Sequence, residues 1–223
     1  MNILTKELFD LTKSISAPLL TDCKYPWEAL PKIKDFILKI GPQLDKAEYE
    51  YIGNDIWIGK NVAIHESAVI KGPAIIGPNT EIRPSAFIRG SVIIGCGCVI
   101  GNSCELKNAI VFDKVQIPHF NYVGDSIFGF SSHTGAGAIT SNVKSDRSLV
   151  SVKCGNEKIC TGLKKFGAIL GDYVEIGCNS VLNPGTIIGR NTNVYPLSSV
   201  RGTVPPNSIY KSHDNIVEKR QNN

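Results

Sequence analysis

Four histidines, seven cysteines and one run of small residues are the parts of this 223-residue chain whose types suit chemistry. His119 stands in Ile117-Pro-His-Phe-Asn-Tyr-Val-Gly-Asp125. An imidazole titrates near neutral pH and can serve as a general base. A lone histidine is equally a hydrogen-bonded structural residue, and on its own it is read as one. His65, His119 and His133 offer no closely spaced pair, so a zinc site of the three-histidine type is not expected. Cys96-Gly-Cys98 has no second pair at zinc-site spacing. Gly135-Ala-Gly-Ala-Ile-Thr140 does not open a helix in a βαβ unit, so it is no dinucleotide loop. Its small residues leave backbone N–H groups accessible, which suits either an oxyanion contact or a plain turn.

The elements that must position these residues announce themselves by a period of six. From Ile52 to Leu106 every sixth residue is aliphatic, nine Ile and one Leu. Two places before each aliphatic stands a small or β-branched residue, as at Val62, Ala68, Ala74, Thr80, Ala86 and Cys98. Residues two apart in a strand point the same way, so each unit sends one large and one smaller side chain inward. Gly and Asn follow at places suited to corners. The pattern predicts an all-β solenoid, a parallel β-helix of hexapeptide units whose coils contact only their neighbours.

The rhythm slips by one residue after Leu106, continues through Val111, Ile117 and Val123, and slips again before Phe128 and Thr134. Irregular coils are where ligands are accommodated, although a slip is also what a packing adjustment produces. Residues 144–165 leave the pattern, and Gly155-Asn156 between two apolar runs predicts a hairpin projecting from the solenoid. The period resumes at Leu170 and runs to Val200, with Pro205-Pro206 as the close. The domain reading is thus 1–50 as a helical cap or connector, 51–206 as β-helix, and 207–223 as a polar tail. A short helix is expected from Ile3 to about Ile15, a second over Pro26–Ile40 ending at Gly41-Pro42, and a helix from about Asn215 or no order in the tail. The first fifty residues are expected to cap the open end of the solenoid.

The net charge is +4, and Lys and Arg are scattered, so no nucleic-acid partner is expected. No apolar run reaches 18 residues, and residues 1–20 carry Lys6, Glu7, Asp10 and Lys13, so neither a membrane span nor a signal peptide is expected. Buried reduced thiols and a cytoplasmic location fit the odd cysteine count.

The segments Ile82-Arg-Pro84, Gly101-Asn-Ser-Cys-Glu-Leu-Lys107, His119 to Asp125, Gly135 to Asn142, and Thr161-Gly-Leu-Lys-Lys-Phe-Gly167 with Leu170-Gly-Asp172 carry a resemblance. The chain resembles the acetyltransferase domain of bifunctional N-acetylglucosamine-1-phosphate uridyltransferase/glucosamine-1-phosphate acetyltransferase. It looks closer to the archaeal-type sugar-1-phosphate nucleotidylyltransferase/acetyltransferases, and the likeness covers most of residues 50–206. It implies a left-handed β-helix, a homotrimer, and acetyl-CoA bound between subunits as co-substrate with no metal required. By the same resemblance His119 is the base that deprotonates the sugar amine, Glu105 an acid beside it, and the Ala136 N–H the oxyanion contact. Arg83, Lys107 and Tyr122 match groups that hold the sugar phosphate. His133, Asn142 and Lys165 fall on the substrate side, and Asn142, Cys178 and Pro196 on the CoA side. His133 stands where an Asn is common, Val143 replaces an aromatic, and Pro118 replaces a Gly. No Gly-rich nucleotide loop precedes residue 50, so nucleotidyl transfer is not expected. The implied activity is N-acetylation of an amino-sugar phosphate or a related amino sugar. The alternative is a non-catalytic trimeric module that binds sugar or nucleotide. A γ-type carbonic anhydrase fails on histidine number and spacing.

Overall fold

The computed structural model describes residues 2–220 and is a left-handed parallel β-helix flanked by a helical N-terminal segment. Each coil has three short strands, one per face. On the first face Ile58 pairs with Ile76 and Ile76 with Ile94, eighteen residues apart. On the second Ile64, Ile82 and Ile100 align, and on the third Ile70, Ile88 and Leu106. Three six-residue units therefore make one coil, and the Ile ladder is three stacked columns in one core. From Ile76 on these residues are buried to 1% exposure or less. Many corners turn through residues at left-handed φ, among them Asn61, Asn79, Ser85, Ser103 and Asn191. Asn tolerates that region better than bulkier types.

Both slips fall at one corner, between the third and first faces. In the regular coil Arg89, Gly90 and Ser91 separate Ile88 from Val92. One coil on, only Lys107 and Asn108 separate Leu106 from Ala109, and Val111 pairs with Ile94, seventeen residues back. The next coil repeats the economy with Gly124 and Asp125. The strands Glu105–Val111 and Tyr122–Phe128 therefore run continuously around the bend, with Asn108 and Asp125 at φ of about 49°. In the coil after that, the same corner opens to admit residues 141–167.

The helices of the N-terminal segment lie as a strap along the side of the solenoid, and at the open end strand Tyr49–Tyr51 pairs antiparallel with Ile56–Gly59 of the first coil. On the first face each three-residue strand points its middle residue outward, and Ile75, Ile93, Ile110, Ile127, Ile169 and Ile187 are nevertheless fully buried. The α-helix Ile33–Ile40 lies over strands Val92–Ile94 and Glu105–Val111, and the 3-10 segment Pro26–Lys32 lies over Tyr122–Phe128. Trp27, Leu30, Ile33 and Ile37 are the buried side of this strap. Each Ile so covered contributes about 1.5–3 kcal/mol relative to exposure, which fixes the strap to the face. Meanwhile Ile64, an inward residue of the first coil, stays 41% exposed, and Ile52, where the six-residue ladder begins in the sequence, lies in the turn before that coil and is 51% exposed.

The expected first helix is broken into an α-turn at Thr5–Leu8 and a 3-10 turn at Leu11–Lys13. Asp10 between them is extended, and its carboxylate accepts from Thr12 N at 3.1 Å and Thr12 Oγ1 at 2.7 Å. Bonds from Asp172 N to Leu8 O and from Asp113 N to Lys13 O hold this stretch along the coil edges. The second helix begins as 3-10 turns because Pro31 has no N–H for an α ladder.

The expected hairpin is present as Ser151–Cys154 and Glu157–Cys160 around Gly155 at φ 58°. It does not project freely. Val150 and Val152 are buried, and strand Ser151–Cys154 packs near Thr203–Val204, extending the cover of the first face. The tail is not a helix. Ser208–Ser212 and Asn215–Glu218 form an antiparallel hairpin, as Ile216-Val217 would favour; residues 221–223 lie outside the described residues.

Candidate active site

The corner between the second and third faces carries His119. Strand pairing sets His119 beside Asn102, and the bonds Gly137 N to His119 O, Asn179 N to Ala136 O and Leu197 N to Cys178 O continue the stack. His119, Ala136, Cys178 and Pro196 thus form one column down this corner. The residues after them, Phe120, Gly137, Asn179 and Leu197, are all at left-handed φ. Close stacking requires Gly135, since a Cβ there would lie 2.6 Å from the Cys178 backbone nitrogen. The buried Asn121 ties two coils together. Its Oδ1 accepts from His119 N at 3.1 Å, and its Nδ2 donates to Gly135 O at 2.8 Å and Ala138 O at 3.1 Å. The imidazole of His119 stands on a fixed peptide and is exposed to solvent. The Ala136 N–H has no acceptor among the described residues.

The third face follows directly. Glu105 and Tyr122 are lateral neighbours on it, with Lys107 beside Gly124. Glu105 takes the Arg89 guanidinium at 2.6 Å. At the far edge of this face the shortened corner gathers side chains around Asp125, which is 4% exposed. Its carboxylate meets Lys107 Nζ at 3.3 Å, Asn108 Nδ2 at 2.9 Å and Asn142 Nδ2 at 2.5 Å. Asn142 Nδ2 also donates to Tyr122 Oη at 3.2 Å. Burial and, after it, the Asp125 charge raise the Tyr122 pKa above its ordinary value, so the phenol keeps its proton. Only Tyr122–Gly124 separates the two corners, a strip about 10 Å wide at strand spacing.

Most of the residues singled out from sequence thus fall into two groups facing one strip. His119 and Ala136 stand on one side in column with Cys178 and Pro196; Lys107, Tyr122 and Asn142 stand on the other, with Glu105 between. Lys165 is exposed in the loop returning from the hairpin, and the next residue, Phe166, donates its N–H to Asn142 O at 2.9 Å. Two residues are not brought in. Arg83 lies on the second face, held two-pronged by Glu81 at 3.0 and 3.1 Å. His133 lies on the same face between Gln116 and Glu175, three residues ahead of the corner. Sequence reasoning missed Asp125, Asn108 and Asn121. A signal for the first two existed: Asn108, Asp125 and Asn142 are each seventeen residues apart, the length of the shortened coil. A groove of about 980 Å³ opens beside Tyr49 and Trp57 at the first coil, and none of these residues lines it.

Residues 70–192 match the family model described as the GMPPB C-terminal domain. The chain is 42% identical over 208 residues to the bifunctional protein GlmU of Methanococcus maripaludis strain C7, a match covering 90% of this chain and 49% of that one. The chain therefore spans about half the length of that relative. It is 35% identical over 161 residues to the putative uncharacterized acetyltransferase YaiX of Escherichia coli K12, covering 72% of this chain and 70% of that one. Among solved structures, a mutant of the N-acyltransferase AntD from Bacillus cereus, in complex with dTDP and coenzyme A, aligns with 78% of this chain and 91% of its own. The identity is 19% and the TM-score 0.40, a likeness too slight to speak to function.

Proposed function

Because the chain belongs to the GMPPB C-terminal domain family, and because its relatives include GlmU and YaiX, we propose that it is an acetyl-CoA-dependent N-acetyltransferase whose acceptor is an amino-sugar phosphate or a related amino sugar. The observation that carries this reading is the strip itself: a solvent-facing His119 and an unengaged Ala136 N–H on one side, a cation and a polar pair on the other. Those are the groups acyl transfer to an amine requires. His119 Nδ1 or Nε2 takes a proton from the sugar amine, whose lone pair attacks the thioester carbonyl. The carbonyl oxygen gains charge within reach of the Ala136 N–H. The C–S bond then breaks, and the proton held by His119 neutralises the departing thiolate. Positioned proton transfer supplies about 10²–10⁴ in rate, and one oxyanion donor about 10²–10³.

Lys107 suits the acceptor's phosphate as a point charge, with Tyr122 and Asn142 placing the sugar ring. The pantetheine arm of acetyl-CoA would follow the column past Cys178 and Pro196, where Gly135 keeps the corner flat. A second copy would form the other wall of that groove. Phe120, Ile139 and Leu197 support a homotrimer, since they leave 62%, 41% and 79% of their surface exposed along this corner and face. In such an assembly Lys165 approaches the same acceptor from its loop. The engagement of Arg83 by Glu81 and the position of His133 favour a second reading, a binding module without turnover.

Thiol release from acetyl-CoA, measured across glucosamine-1-phosphate, galactosamine-1-phosphate and their phosphate-free amino sugars, separates the two. The expected result is turnover with at least one amine, and at least tenfold higher kcat/KM for its phosphorylated form. No release above background with any acceptor would replace the enzyme by the binding module.

A further inference from the structure

We infer that Asp125 is the positioning residue that sets the hydrogen-bond polarity of the acceptor pocket, an inference that rests on the N-acetyltransferase reading. An ionised carboxylate only accepts. With Asn142 Nδ2 at 2.5 Å from Asp125 Oδ2, the opposite amide orientation would set two oxygens against each other without a proton. Asp125 therefore fixes which way the Asn142 amide faces. Its two N–H bonds are spent on Asp125 and on Tyr122 Oη. Asn142 Oδ1 is left with no donor among the described residues, so it stays open to a donor from solvent or from the bound acceptor. Tyr122 Oη already accepts from Asn142, which leaves its own O–H to donate outward. Lys107 Nζ, 3.3 and 3.4 Å from the same carboxylate, is held loosely enough to keep donors for an anion.

The pocket edge thus presents an ammonium, an O–H donor and a carbonyl acceptor in fixed order. The acceptor must answer with an anionic or lone-pair oxygen and, next to it, an O–H or N–H that donates. That pairing describes a sugar carrying a free hydroxyl or amine close to its phosphate, and it rejects the analogue whose hydroxyl is replaced by hydrogen. Residue 125 itself touches no substrate; it acts through Asn142, Tyr122 and Lys107.

The test is Asp125→Asn, nearly identical in shape, whose amide meets Asn142 in either orientation. Its KM for the amino-sugar acceptor rises at least tenfold while its KM for acetyl-CoA stays within twofold, and the preference for the hydroxylated acceptor over its deoxy analogue falls to within threefold. A merely structural role would instead move both KM values and the melting temperature together, and that outcome overturns the inference, as does an unchanged acceptor KM. A substrate-free arm stands apart from the acetyltransferase reading. The side-chain NH₂ signals of Asn142, identified by their loss in Asn142→Ser, exchange slowly with solvent in the wild type and lose that protection in Asp125→Asn. Where the wild type acetylates nothing, this arm alone decides: unchanged exchange in Asp125→Asn refutes the role given to Asp125, and faster exchange upholds it.

Discussion

The corner between the third and first faces is built in two ways within one chain. In the regular coil Arg89, Gly90 and Ser91 turn it, Gly90 and Ser91 at left-handed φ, and the coils above and below meet through backbone bonds such as Asn108 N to Gly90 O. In the next two coils two residues do the same work, and the left-handed position is Asn108 and then Asp125. Removing one residue does not disturb the core, since Val111 and Phe128 still stack under Ile94. It does bring polar side chains of successive coils within reach of each other, and they bond around Asp125. One residue fewer at a corner thus gathers polar side chains from successive coils and leaves the core columns intact.

The strongest way to break this contrast is to undo the shortening. Inserting one Gly between Asn108 and Ala109 gives that coil the regular three-residue corner and moves Lys107 and Asn108 away from the Asp125 level. Acetyl transfer is expected to fall at least a hundredfold while the circular-dichroism spectrum keeps its β-helix form. Turnover within threefold of the wild type would show that the short corner is incidental.

A smaller effect sharpens the other half of the comparison. Ile93 points outward from a regular coil and is fully buried beneath the N-terminal strap. Ile93→Ala removes packing without room to collapse and costs about 2–5 kcal/mol of stability, read by chemical denaturation. The kcat is expected to stay within twofold, because Ile93 lies on the first face, away from the strip on the third. A fall in kcat without loss of stability would show that the strapped face and the strip act together.

Much of this was legible from the chain. The period of six gives the inward columns directly, because burial on one side of a short strand leaves an unbroken pattern. The slips at Val111 and Phe128, and the hairpin turn at Gly155-Asn156, also stand where the spacing and the turn residues put them. The strap was not legible from periodicity, because Ile75, Ile93 and Ile110 sit beside the inward ladder and read as part of it. Only burial on both faces of the strand, the signature of a covered sheet, tells why they are apolar. Asp125 escaped for a related reason: a carboxylate at a corner reads as a turn residue until the shortened coil sets it level with Asn108 and Asn142. Arg83 stands apart from the strip for a reason the spacing does not show: Glu81, two residues back on the same face, engages its guanidinium.

Acetyl transfer as proposed turns on His119 as the base serving the strip beside the shortened corner. Steady-state thiol release by His119→Ala, with acetyl-CoA and the best amino-sugar acceptor of the wild type, tests that most directly. The expected kcat is lower by about 10²–10⁴, with the KM for acetyl-CoA within twofold. A kcat within threefold of the wild type would contradict it.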